Sequence, residues 1–116
     1  NHGLSLSSFD EETAMIQNNM RPIHPGEILR EEYVKPLGMS ASRLAIHLRV
    51  PVTRIGKILN EERGVTPDTA LRLARFFGGD AQTWLNLQAA YDLKRTIKDH
   101  GQEIENEVRP MPTEAV

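Results

Sequence analysis

The sequence of 116 residues contains no cysteine, and aromatic residues make up only 5% of it. Without cysteine the chain forms no disulfide, no thiolate zinc site and no cysteine nucleophile. So few aromatic residues disfavour a stacking platform for single-stranded nucleic acid. No apolar run reaches the roughly 18 residues of a membrane-spanning helix, and nothing at the start resembles a secretory signal. With 39% hydrophobic and 26% charged residues, the composition predicts a small cytoplasmic protein with one domain.

Signals of catalysis and metal binding are also missing. The four histidines are scattered along the chain without the spacing of metal ligands. The sequence has no glycine-rich loop with a phosphate-binding lysine and no GxSxG motif. We therefore predict that the protein is not an enzyme and that it needs no metal and no cofactor.

Charge is distributed unevenly, although the net charge is only −2. Residues 39–79 contain seven basic and three acidic residues, whereas residues 1–20 and 80–116 are both acidic overall. A basic centre between acidic ends indicates two partners of opposite charge. Ordinary solvated helix faces are the alternative explanation.

Proline, glycine and capping residues divide residues 24–100 into five predicted helices, and no strand pattern is present. The predicted starts are Pro25, Ser40, Pro51, Thr66-Pro67 and Asp80. The last helix is expected to run from about residue 81 to His100 and to break at Gly101. We thus predict an all-α fold with a DNA-binding domain over residues 21–100. Residues 1–20 form a flexible or partly vector-derived extension in this prediction, and residues 101–116 an acidic, mostly flexible tail.

Two short predicted helices lie next to each other, at about Ser40–Leu48 and Pro51–Leu59, with a tight turn at Arg49-Val50. Small and apolar residues at their inner positions fit a helix-turn-helix unit. The expected inner residues are Leu44, Ala45, Leu48, Val50, Val52, Ile55, Ile58 and Leu59. The second helix then presents a polar face of Thr53, Arg54, Lys57 and Asn60. A plain helical hairpin with a solvated basic surface is the alternative.

This polar face suits the major groove of B-DNA, which admits one α-helix. Arginine and lysine can donate to guanine, and the threonine methyl group can contact thymine. We predict that Thr53, Arg54 and Lys57 read bases. Residues around this face are expected to bind phosphates, with help from backbone amides at helix starts. They are Ser40, Ser42, Arg43, Arg49, Asn60 and Arg63.

The last predicted helix has two apolar stripes, and one of them covers the core of the domain. The second stripe is expected to form a dimer seam, because a single helix in so small a domain cannot bury both sides. The candidate dimer residues are Trp84, Leu85, Gln88 and Tyr91. A helix that serves the core alone is the alternative.

Four longer motifs resemble the HigA family of antitoxins, within the lambda-repressor-like (XRE) helix-turn-helix group. They are residues 21–29 (RPIHPGEIL), 49–55 (RVPVTRI), 66–78 (TPDTALRLARFFG) and 84–93 (WLNLQAAYDL). The resemblance implies a five-helix repressor-like domain that forms a homodimer and binds double-stranded DNA at the operator of its own operon. It also implies neutralisation of a HigB-type toxin that cleaves mRNA, and base reading by the third helix.

One departure concerns the turn, where many helix-turn-helix units have glycine and this chain has Arg49. At positive φ an arginine costs about 1 kcal/mol relative to glycine, and a phosphate contact can offset this cost. Two other functions remain open from the sequence. One is a repressor without a toxin partner, and the other is a protein-interaction module that no longer binds DNA.

Overall fold

The computed structural model describes residues 21–112, and within this range it contains five helices and no strand. The predicted all-α class is thus confirmed. The helices are α1 (Pro25–Leu29, continued by a π-helical turn at Arg30–Val34), α2 (Ala41–Leu48), α3 (Val52–Leu59), α4 (Pro67–Phe77) and α5 (Ala81–Glu107). The predicted extension at residues 1–20 and the last four residues lie outside the described residues.

Side-chain oxygens cap three of the helix starts, as the sequence predicts. Ser40 Oγ accepts from the backbone N–H of Arg43 at 3.1 Å, and Asp80 Oδ1 accepts from that of Thr83 at 2.9 Å. Thr66 accepts in the same way at the start of α4, where Pro67 is the first helical residue. Short-range chemistry therefore defines where α2, α4 and α5 begin.

The helices pack around one apolar core that includes Leu44 and Leu48 of α2 and Ile55 and Ile58 of α3. Helix α1 crosses α3 in direct backbone contact, because a Cβ at Gly26 would overlap the carbonyl oxygen of Ile58. Glycine is required at Gly26 because the crossing leaves no space for a side chain. Its backbone is helical, so the requirement does not come from an unusual conformation.

Arginines from outside the helix-turn-helix cap the ends of both of its helices. Arg72 of α4 donates from Nη1 to the carbonyl oxygen of Leu48 at 2.9 Å, at the end of α2. Arg30 of α1 donates to the carbonyl oxygen of Leu59 at the end of α3 and pairs with Glu61 at 3.2 Å. Cations at helix C-termini satisfy the last carbonyl groups and oppose the negative end of the helix dipole.

Two expectations from the sequence were wrong. Helix α5 does not break at Gly101 but continues to Glu107, because a single glycine costs a helix only about 1 kcal/mol. Val52 does not face the core but is 47% exposed, since it lies in the first turn of α3 at the edge of the packed body. Val52 lies three residues before the buried Ile55, and this spacing predicts a buried side chain. The spacing does not show how far the neighbouring helices extend along α3, so it cannot reveal that Val52 is left uncovered.

Candidate nucleic-acid interface

The turn between α2 and α3 is built on Arg49, which has the left-handed backbone angles φ 60 and ψ 46. The N–H of Val50 reaches back to the carbonyl oxygen of Ala45 at 3.1 Å and completes the helix end. Ala45 is 2% exposed, so its small side chain lets the two helices approach closely. The predicted helix-turn-helix geometry is therefore present, with an arginine where glycine is favoured.

The outward face of α3 consists of small and polar groups at helical spacing. Val52, Thr53, Lys57 and Asn60 are exposed on it. A Cβ at Gly56 would meet no described atom within 4 Å, so the backbone of α3 is open to the outside at this point. The face thus offers a methyl-bearing side chain, a hydroxyl, an ammonium and an amide. These are the groups that contact base edges in a major groove.

Arg54 differs from its neighbours on α3, because its guanidinium is held within the chain. Its Nη1 donates to Asp68 Oδ2 at 2.7 Å, and the same oxygen accepts from Arg72 Nε at 2.9 Å. The hydrogen bonds from Arg72 and Arg54 lower the pKa of Asp68, so this carboxylate stays ionised. This network connects α3 to the first turn of α4.

The six residues predicted to bind phosphates are all exposed. Ser40, Ser42 and Arg43 lie at the start of α2, Arg49 lies in the turn, and Asn60 and Arg63 follow α3. The structure thus places them at both ends of the helix-turn-helix and at its corner. The hydroxyl of Ser40 also caps α2.

The residues predicted for the dimer seam also make contacts inside the chain. Trp84 is 5% exposed and packs against Tyr33 with ring centroids 5.6 Å apart. Gln88 Oε1 accepts from the backbone N–H of Val65 at 2.7 Å, and the ring of Tyr91 contacts His24. Leu85 is half-buried against the core. The indole ring of Trp84 therefore belongs to the core of the domain.

The structure adds two residues to the candidate interface that were not predicted for it from the sequence. Val52 belongs to the exposed face of α3, and Asp68 holds two arginines beside it. The spacing of four residues between Asp68 and Arg72 indicates their ion pair. The contact of Asp68 with Arg54 depends on the tertiary packing and has no sequence signal.

Over residues 21–112, no helix is long and apolar enough to cross a membrane. The same part of the chain has no group of three or more histidine or acidic residues that could hold a metal ion. The arrangement on α3 accordingly offers hydrogen-bonding and apolar contacts to a groove, with basic groups around it.

Comparison with known proteins supports this interpretation. A helix-turn-helix family model matches residues 31–84. The chain is 59% identical over 99 residues to virulence-associated protein I of Dichelobacter nodosus. The matched region covers 85% of this chain and 90% of that protein.

Two solved structures are also similar. One is an addiction module antidote protein of a HigA family from Coxiella burnetii, with 56% identity, a TM-score of 0.75 and coverage of 79% of this chain and 100% of that chain. The other is the Pseudomonas aeruginosa antitoxin HigA with the higBA promoter, with 42% identity, a TM-score of 0.77 and the same coverage.

Proposed function

The chain belongs to the HigA family of helix-turn-helix antitoxins, and from this premise we propose that it is a homodimer that represses its own operon and neutralises a toxin. The resemblance found in the sequence is confirmed, as is the prediction of a DNA-binding family rather than an enzyme. The observation that carries the proposal is the exposed face of α3, where Thr53 and Lys57 extend away from the core.

In the proposed complex, α3 lies in the major groove and Thr53 and Lys57 contact base edges. Lysine donates to guanine O6 and N7, and the threonine methyl group packs on a thymine methyl group. Val52 contributes a second apolar contact of the same kind, because its side chain is 47% exposed beside Thr53. Gly56 lets the backbone of α3 come close to the bases between them.

Arg54 was predicted to read bases as well, but its ion pair with Asp68 favours a supporting role. A guanidinium held at 2.7 Å by a carboxylate keeps α3 against the first turn of α4. Its loss is therefore expected to weaken binding to every DNA sequence alike.

Phosphate contacts position the complex in this proposal. Arg43 at the start of α2, Arg49 in the turn and Arg63 after α3 are exposed cations around the reading face, with Ser40, Ser42 and Asn60 as neutral donors. Such contacts carry no sequence information but fix the register on the duplex. Two copies would place their α3 helices about 34–36 Å apart, in successive major grooves.

A toxin is the second proposed partner. The similar protein from Pseudomonas aeruginosa is called an antitoxin, and the similar protein from Coxiella burnetii is called an antidote protein. Co-expression with the neighbouring gene, followed by light scattering, tests this part. A stable complex with the neighbour's product is expected, whereas a bare homodimer would leave a repressor without a toxin.

The DNA part is tested by affinity for the promoter of the chain's own operon and for a scrambled duplex of equal length and composition. Lys57→Ala should lower promoter affinity by about 1–3 kcal/mol and affect scrambled DNA much less. Arg54→Ala should weaken both by the same factor. Lys35→Ala is the matched control, because this lysine pairs with Glu31 and lies outside the helix-turn-helix.

Salt dependence gives an independent readout. Each phosphate that the protein neutralises contributes about 0.9 to the log–log slope of affinity against salt. Arg49→Ala should reduce this slope, and Lys57→Ala should leave it nearly unchanged. Equal losses for Lys57→Ala on promoter and scrambled DNA would contradict base reading by this residue.

A further inference from the structure

One carboxylate holds two arginines at the edge of the helix-turn-helix. Asp68 Oδ2 accepts from Arg54 Nη1 at 2.7 Å and from Arg72 Nε at 2.9 Å. We call these three residues the Asp68 cluster, and its two guanidinium groups share one negative charge, so its net charge is positive. The side chain of Asp68 is 54% exposed and that of Arg72 40%, so a charged molecule can reach the cluster from outside.

The Asp68 cluster borders a basic groove. An open groove of about 540 Å³ lies between the turn after α2 and helix α4. The described residues that line it include three arginines, Arg49, Arg72 and Arg75, and one carboxylate, Asp68. Guanidinium groups gathered in a groove produce a positive potential that attracts phosphates. Asp68 is the negative charge that opposes this potential from inside the groove.

The cluster also lies next to residues that are expected to bind DNA. Arg54 follows Thr53 on α3, and Arg49 is the turn residue that is expected to bind a phosphate. Double-stranded DNA bound at α3 would therefore bring its phosphates close to the cluster. Carboxylate and phosphate groups both offer paired oxygens to a guanidinium, so a phosphate competes with Asp68 for the two arginines.

Phosphate contacts support binding to any DNA sequence, so an arginine that is kept from them does not add to sequence-independent affinity. We propose that Asp68 is a specificity-determining residue, an internal counter-ion that keeps Arg54 and Arg72 from binding the phosphates of non-cognate DNA. A fixed carboxylate disfavours the wrong partner in two ways, because it occupies the arginines and repels the phosphates. This inference rests on the DNA-binding part of the proposed function and adds a residue that limits it.

The counter-ion acts more strongly on non-cognate DNA than on the promoter. Base contacts fix the register of the promoter complex, so its phosphates stay where α3 places them. A complex without base contacts can shift along the duplex until phosphates meet both arginines. Removal of the carboxylate should therefore strengthen binding to scrambled DNA more than binding to the promoter.

Asp68→Asn tests this role, because it removes the charge and retains a carbonyl oxygen that can accept from one arginine. At 0.1 M salt the affinity for the scrambled duplex should rise by about five- to tenfold for each arginine that gains a phosphate. The log–log slope of this affinity against salt should steepen by about 0.9 per contact. Asp68→Glu retains the charge and should behave like the parent. Asp68→Ser removes the same charge and provides a second test of the same gain.

Glu31 provides a matched control outside the helix-turn-helix. Its Oε2 also accepts from two cations, Arg30 Nε and Lys35 Nζ, both at 3.0 Å. Glu31→Gln changes the net charge by the same amount as Asp68→Asn. It should leave the affinity for scrambled DNA and its salt slope nearly unchanged, because the cations that it releases lie on and after α1.

A double variant shows whether the released arginines cause the gain. Arg54→Ala combined with Asp68→Asn should remove about half of the added salt slope, since one of two phosphate contacts is lost. The remaining gain belongs to Arg72, which is left in place because it also caps α2. Thermal unfolding of each variant verifies that the compared proteins are folded.

The outcomes separate this inference from the function it extends. If the parent prefers the promoter and Asp68→Asn binds scrambled DNA no better than the parent, the counter-ion role is overturned and the proposed repressor remains. An equal gain for Glu31→Gln would also overturn the role, because overall charge would then be the cause. A parent protein that does not prefer the promoter would overturn the proposed function and the inference with it.

Discussion

The backbone contact between α1 and α3 predicts a large difference between two glycine-to-alanine changes. A Cβ at Gly26 would overlap the carbonyl oxygen of Ile58 and lie 2.9 Å from its carbonyl carbon. Carbon atoms pack at about 3.5–4.0 Å, so α1 must move by more than half an ångström in Gly26→Ala. Leu29 of α1 is fully buried and would move with it. Overpacking of this kind lowers the free energy of unfolding by about 1–3 kcal/mol. We expect the upper end of this range, because the Cβ clashes with backbone atoms of Ile58, which cannot rotate away as a side chain can.

Gly56→Ala is the matched control, because Gly56 is also helical but a Cβ there meets no described atom within 4 Å. Alanine in a helix interior gains about 1 kcal/mol over glycine. In a domain of 60–100 residues, 1 kcal/mol shifts Tm by about 4–8 °C. Thermal unfolding should therefore show Gly26→Ala about 12 °C or more below the parent and Gly56→Ala a few degrees above it. Equal Tm values for the two variants would refute the close crossing of α1 and α3.

Two other predictions concern Arg49 and His24. Arg49→Gly should raise the free energy of unfolding by about 1 kcal/mol, because it relieves a left-handed residue, and should weaken binding to any duplex. A variant that is no more stable than the parent would show that the turn is not strained. Burial lowers the pKa of His24, whose Nδ1 accepts from the N–H of Gly26 at 2.8 Å, so the unfolded chain binds the proton more readily than the folded one. Stability should be constant above the ordinary histidine pKa of 6.5 and fall as the pH drops below it. His24→Asn supplies a side-chain oxygen in place of Nδ1 as the cap and removes the titrating ring, so it should flatten this dependence in denaturant titrations between pH 7.5 and 5.5. An unchanged slope would contradict the role of His24.

Short-range chemistry accounts for what the sequence predicted well. Ser40, Thr66 and Asp80 cap helices through atoms three residues away, so their roles follow from local spacing alone. The exposure of Val52 and the ion pair of Arg54 depend on which helix lies opposite, and a single sequence does not contain that information.

The length of α5 was mispredicted for a related reason. Gly101 signals a possible helix end, but the residues on both sides favour the helix enough to outweigh the cost of one glycine. Glycine has two different roles that look alike in a sequence. It can end a helix, or it can let two backbones pack closely inside the fold. The surroundings in three dimensions distinguish them, as Gly26 also illustrates.

The arginine caps on α2 and α3 have a consequence for the evolution and engineering of this reading unit. Because the carbonyl groups that end these helices are satisfied by Arg72 and Arg30, residues 41–59 rely on two side chains encoded outside them. In the proposed DNA complex, new sequence specificity is therefore reached most easily by exchanging single residues on the outer face of α3. Transplanting the two helices into another protein would require a host that supplies both arginines.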